Sequence, residues 1–105
     1  MKILFDQGTP VPPRRHLHPH NVDTTAECGW STLLNGELIA RAEKDHYEIF
    51  VTTDQNLKYQ QNLSARAIRI LVLKSTSWPR ISKRIAAIRE AVESLPRGGY
   101  AEIDV

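Results

Sequence analysis

Apolar and polar positions along the chain fall into short runs that switch between a strand-like and a helix-like period. Residues 2–5, Lys-Ile-Leu-Phe, form an apolar run that stops at Asp6-Gln7-Gly8. It reads as a buried first strand ended by a polar residue and a glycine. Prolines at positions 10, 12 and 13 fit the beginning of a helix but not its interior. A short helix over about 12–18 is therefore expected, with Arg14 and Arg15 exposed on it. Residues 20–27 alternate weakly through Val22, Thr24 and Thr25 and read as a second strand, and 29–32 as a loop. Asn35 suits the cap of a helix over about 36–46. Leu38, Ile39 and Ala42 give that helix an apolar stripe, and Glu37 and Arg41 stand at a favourable i,i+4 spacing.

Residues 48–53 are β-rich and end at Asp54, and the polar stretch 55–64 is expected to hold a short helix. Residues 68–74 are the most apolar strand candidate. A helix over 79–95 follows, in which Ile81, Ile85, Ile88, Val92 and Leu95 step by four, three, four and three, the spacing of one buried face. Pro96 and Gly98-Gly99 stop it, and 100–105 can add an edge strand. Strands alternate with helices throughout. That order predicts βαβ units, right-handed crossovers and a mainly parallel sheet.

Composition narrows the setting without choosing a function. A chain of 105 residues fits one domain over 1–105, and 41% hydrophobic with 25% charged residues is ordinary for a globular protein. No run approaches the roughly 18 apolar residues of a membrane span, and the first residues carry no signal-peptide core. A cytoplasmic setting without membrane contact is expected. The one cysteine, Cys28, has no internal disulfide partner, in keeping with a reducing compartment. A net charge of +2 permits a nucleic-acid partner but does not argue for one by itself.

Chemistry is expected at the strand ends, because open parallel sheets bind ligands beyond the carboxyl ends of their strands. Two strands here end in an aspartate, Asp6 and Asp54. If both strands are central and parallel, the two carboxylates emerge together, and Glu37 in the first turn of its helix joins them from the side. Grouped carboxylates repel one another in a desolvated cleft, and a hard divalent cation such as Mg²⁺ or Mn²⁺ relieves that repulsion. Asn56 is placed to supply an amide oxygen or to hold a water. The plainer role for each aspartate is a turn former or the cap of the next helix.

Taken together, Asp6 after the first strand, Glu37 at a helix start and Thr52-Thr53-Asp54 after the third strand resemble the PIN-like domain family. The likeness is to its short stand-alone bacterial members and extends through about residue 95. It implies a three-layer α/β/α fold and a metal-dependent ribonuclease of the kind found as the toxin in toxin–antitoxin pairs. Asp6, Glu37 and Asp54 would hold Mg²⁺ or Mn²⁺, with Asn56 assisting, and the partners implied are RNA, an antitoxin protein and a second copy of the chain. Relatives often carry aspartate where this chain has Asn35 and Asn56. A rival reading is a degenerate PIN-like module that acts through a protein partner. A weaker one, a response-regulator-like domain, lacks an acidic pair after the first strand because Gln7 follows Asp6.

Arg14, Arg15, Lys58, Arg66, Lys83 and Arg84 are candidates for an RNA-backbone surface, and Tyr59 or Trp30 for stacking an unpaired base. A solvated surface balanced by twelve acidic residues is the competing account of the cations. His16, His18 and His20 are read as an exposed loop beside Pro19, and Cys28 as a small buried thiol.

Overall fold

The computed structural model describes residues 1–60 and 66–105. Among them, five strands form one parallel sheet: β1 (Lys2–Phe5), β2 (Asn21–Thr24), β3 (Ile49–Thr52), β4 (Arg69–Leu73) and β5 (Tyr100–Ile103). Their order is β2-β1-β3-β4-β5, with Phe5 level with Val51 and Val51 level with Leu71. Period-two alternation sends Ile3, Phe5, Ile49, Val51, Leu71 and Leu73 to one face. Leu4, Phe50, Ile70 and Val72 point to the other. Both faces are buried, which is why these strands are almost continuously apolar.

Helices α1 (Asn35–Lys44) and α2 (Leu57–Gln60) cover the Leu4/Phe50 face through Leu38, Ile39, Ala42 and Leu57. The Ile3/Phe5 face is covered by α3 (Trp78–Ile81) and α4 (Ile85–Ser94), and by Leu17 after the 3-10 helix Pro12–His16. The result is the expected α/β fold in three layers, α/β/α, around a parallel sheet. No helix among the described residues is long and apolar enough to cross a membrane.

Several boundaries differ from the sequence expectation for local reasons. Helix α1 begins at Asn35 itself, with Leu34 as an N-cap that makes no side-chain bond. It stops at Lys44 because His46 takes a left-handed conformation (φ 67°), a common way to end a helix. Arg41 lies over the Trp30 ring, 5.4 Å from its centroid, and makes no ion pair with Glu37. The helix expected over 79–95 is interrupted by a 3-10 stretch, Ser82–Arg84. There the Ser82 hydroxyl donates to the carbonyl of Pro79 at 2.8 Å, a local bond that competes with regular helix pairing. Of the polar stretch 55–64, residues 57–60 are helical and 61–65 lie outside the described residues.

The crossovers are not all of one hand. From β1 the chain steps to one edge of the sheet, and from β4 it steps to the opposite edge. Both connections lie over the same face, so their hands are opposite. The two connections between them move toward the β5 edge over the other face and share the hand of the first. The uniform hand expected from the βαβ order therefore fails, and β4–β5 is the connection that differs from the other three. A five-residue 3-10 helix cannot cover a whole sheet face by itself. Placing α3 and α4 there buries Ile81, Ile88 and Val92 against strands that would otherwise remain wet. The strand order is that of flavodoxin-like doubly wound sheets, but this last connection departs from their pattern.

Candidate functional site

The order β2-β1-β3 means the chain leaves β1 in one direction and returns to β1's other side as β3. Such a reversal opens a crevice at the carboxyl ends of the two strands. Asp6 and Asp54 both lie there, and one side chain joins them. The hydroxyl of Thr52, the last residue of β3 and fully buried, donates to Asp6 Oδ2 at 2.8 Å. Thr52 Oγ1 itself accepts the backbone N–H of Asp54 at 3.0 Å. The backbone N–H of Asp6 in turn donates to the Val51 carbonyl at 2.8 Å, continuing the β1–β3 ladder one residue past β1.

Each aspartate also fills the plainer role. Asp6 Oδ1 accepts the N–H of Gln7 at 2.8 Å, and Asp54 Oδ1 accepts the N–H of Asn56 at 2.9 Å. Asp54 Oδ2 receives the Asn35 amide at 3.2 Å, which ties the start of α1 to the same edge. The loop after β1 is held down by Thr9, whose buried hydroxyl donates to the Val51 carbonyl at 3.2 Å. Gly8 sits so close to β3's end that a Cβ there would be 3.2 Å from Thr53 Oγ1. An ionised carboxylate offers about four acceptor positions. Each aspartate uses two in these contacts, so both keep lone pairs directed elsewhere.

The remaining predicted acid is not brought in. Glu37 is exposed and has no described hydrogen bond or ion pair. Among the described residues no three His, Cys, Asp or Glu side chains are grouped closely enough to hold a metal ion. Asn35, expected as a cap, is the residue of that helix start that meets Asp54. Asn56 contributes its backbone N–H, and its side chain is exposed. Thr52 received no role from sequence, although the Thr-x-Asp spacing at a strand end was its signal.

No family model, curated protein or solved structure matches the chain.

The predicted cations divide into two groups. Arg14 makes a two-pronged pair with Glu27, at 2.7 and 3.1 Å, and this holds the Glu27 carboxyl below its ordinary range. Lys58 pairs with Glu102 at 3.0 Å, and Arg66 with Glu43 at 2.9 Å. Glu43 also accepts the N–H groups of Ala67 and Ile68, so that Arg66 belongs to a clasp leading into β4. Arg15, Lys83 and Arg84 are exposed without such partners. Trp30, proposed for base stacking, is buried at 8% exposure, edge-on to Tyr47 and beneath Arg41. An indole enclosed in this way cannot receive a base. The side chain of Tyr59 lies outside the described residues. His16 and His18 are exposed and His20 half-buried.

Behind the site, Tyr47 donates to Asp23 Oδ2 at 2.6 Å, with Cys28 Sγ at 3.3 Å from the same phenol oxygen. Cys28 is half-buried rather than fully enclosed. Burial first, and then the bonds to Asp23 and Cys28, push the Tyr47 phenol well above its ordinary value of 10.0. The phenol is neutral in folded and unfolded chains alike below that pH. The unfolded chain ionises first as pH rises, so the stability Tyr47 contributes is fully present below pH 10.0 and declines above it. Thermal unfolding from about pH 8 to about pH 11 should show this decline in the wild type and less of it in Tyr47→Phe.

Proposed function

We propose that the chain is a PIN-like, Mg²⁺- or Mn²⁺-dependent ribonuclease working in the cytoplasm, with the toxin role of a toxin–antitoxin pair as its setting. The observation that carries this reading is the coupling of Asp6 and Asp54 through Thr52 at the crevice between β1 and β3. Two carboxylates are a suitable set for Mg²⁺, which is commonly held by one or two of them while waters and substrate phosphate oxygens complete its shell. The donors are all oxygens, as hard cations prefer. A cation bound there lowers the pKa of water and offsets charge developing on a phosphoryl group.

The protein's own residues do the positioning. Thr52 holds Asp6 and the backbone of Asp54 in a fixed relation. Asn35 and the Asn56 N–H turn the Asp54 carboxylate, and Gln7 does the same for Asp6. Glu37, exposed at the start of α1, is assigned no direct ligand role in this arrangement. A second reading, a module acting through a protein partner, is favoured by two apolar side chains on loops at the same edge. Val11 is 50% and Leu34 72% exposed.

Incubating the wild type with a mixed single-stranded RNA pool in Mn²⁺, Mg²⁺ or EDTA separates the two. The nuclease reading expects cleavage with either metal and none in EDTA. Absence of cleavage in all three conditions, from protein shown to be folded, leaves the partner-binding module.

A further inference from the structure

Four exposed cations without a described partner fall on two neighbouring segments of the chain. Arg15, in the 3-10 helix Pro12–His16, and Arg80, Lys83 and Arg84, between Trp78 and the start of α4, are exposed and make no described side-chain hydrogen bond or ion pair. Of the other cations, Arg14, Lys58, Arg66 and Lys74 are each matched to a carboxylate and Arg69 to the Leu95 carbonyl, while Lys44 and Arg97 are exposed singly near the amino ends of the strands. The two segments that carry the four cations touch each other. His16 stacks on Trp78 with ring centroids 5.8 Å apart and planes 27° from parallel. Arg89 clamps this arrangement by donating to the His16 carbonyl at 2.5 Å. Helix α3 begins five residues beyond β4's carboxyl end, while Arg15 lies on the β2 side of the sheet near Lys2, His18 and Asn21.

The geometry points to a docking shelf for a single-stranded polynucleotide, with Arg15, Arg80, Lys83 and Arg84 on the phosphates and an unpaired base on the exposed His16 ring. This rests on the ribonuclease reading for the identity of the strand as RNA. Charge alone would suit any polyanion. The His16–Trp78 stack decides for nucleic acid, because it presents a flat aromatic surface among cations, and a base has a matching face where an acidic peptide has none. A base paired inside a duplex has no free face to offer, so the shelf selects single strands.

The test reads binding in EDTA, so that it does not depend on cleavage. Fluorescence anisotropy of a labelled oligouridine of about 12 nucleotides, across a salt series, compares the wild type with three variants. Lys83→Glu/Arg84→Glu removes two shelf cations. Lys44→Glu/Arg97→Glu makes the same charge change at two exposed cations near the amino ends of the strands. His16→Ala removes the stacking surface. The shelf variant should bind about tenfold more weakly than the control variant, and its salt slope should fall by about 1.4, the contribution of two phosphate contacts on a single strand. His16→Ala should lose about fivefold with little change in slope. Equal weakening by the two double variants, undiminished binding by His16→Ala, or a duplex bound as tightly as the single strand overturns the shelf. RNA cleavage by the wild type together with any of these results leaves the ribonuclease reading standing. Shelf binding without cleavage removes the catalytic reading alone.

Discussion

Changing Asp54 to asparagine should reduce RNA cleavage by about a hundredfold or more, the scale expected when a group that holds a catalytic cation is lost. Asp6→Asn should do the same. The fold should survive both. In Asp54→Asn the remaining carbonyl oxygen can turn toward the part-buried Asn35 amide, leaving the exposed Asn56 N–H to water. In Asp6→Asn it can turn toward the Thr52 hydroxyl, leaving the exposed Gln7 N–H to water. Each change removes one negative charge from this sheet edge, so thermal stability should hold or rise slightly. Parallel measurement of cleavage rate and Tm checks this. A variant that loses activity only in proportion to lost folded protein would remove the two aspartates from the chemistry.

Thr52→Val has the opposite character, with a large effect on stability as well as activity. Valine fills nearly the same volume, but it neither donates to Asp6 nor accepts from the Asp54 N–H. The position is fully buried. A lost charge-assisted bond and an unpaired backbone N–H at such a site cost about 2 kcal/mol, or roughly 10 °C in Tm for a chain of this size. Cleavage should fall with it, since both carboxylates lose their common anchor. Thr52→Ser keeps the hydroxyl and should recover most of both properties, at the smaller cost of one buried methyl. A Thr52→Val protein with unchanged Tm and activity would show that the bridge seen between the aspartates is not maintained in solution.

Most of the layer architecture could be read from the chain because the relevant forces are local and periodic. The runs 2–5, 48–53 and 68–74 are apolar on both faces, which suits only interior strands. The steps through Ile81, Ile85, Ile88, Val92 and Leu95 placed a helix face on the sheet even though Ser82 breaks the helix partway. Strand order was not legible, since a run such as Ile49–Thr52 is equally apolar beside any neighbour. The reversed last crossover was hidden for a related reason. Which face a helix covers depends on what other elements leave bare, and no residue encodes that by itself.

The candidate site was legible in its two aspartates, because each closes an apolar run at the same topological position. It was not legible in how they are joined. Thr52 points inward from the end of β3, and its role emerges only when β1 lies beside it in register. Glu37 shows the limit of spacing arguments. One helix residue separates it from Asn35, and the 100° that each residue turns is enough to put Asn35 on Asp54 and leave Glu37 in solvent. Similarly, Arg14 and Arg15 are adjacent in sequence, yet Glu27 engages the first and not the second.

The central claim is that Asp6 and Asp54 together bind a divalent cation, and Mn²⁺ titration of the wild type, Asp6→Asn, Asp54→Asn and Glu37→Gln tests it most directly. The account predicts saturable binding in the wild type and in Glu37→Gln, and loss of that binding in each aspartate variant. Binding that survives both aspartate changes, or that disappears with Glu37→Gln alone, would contradict it.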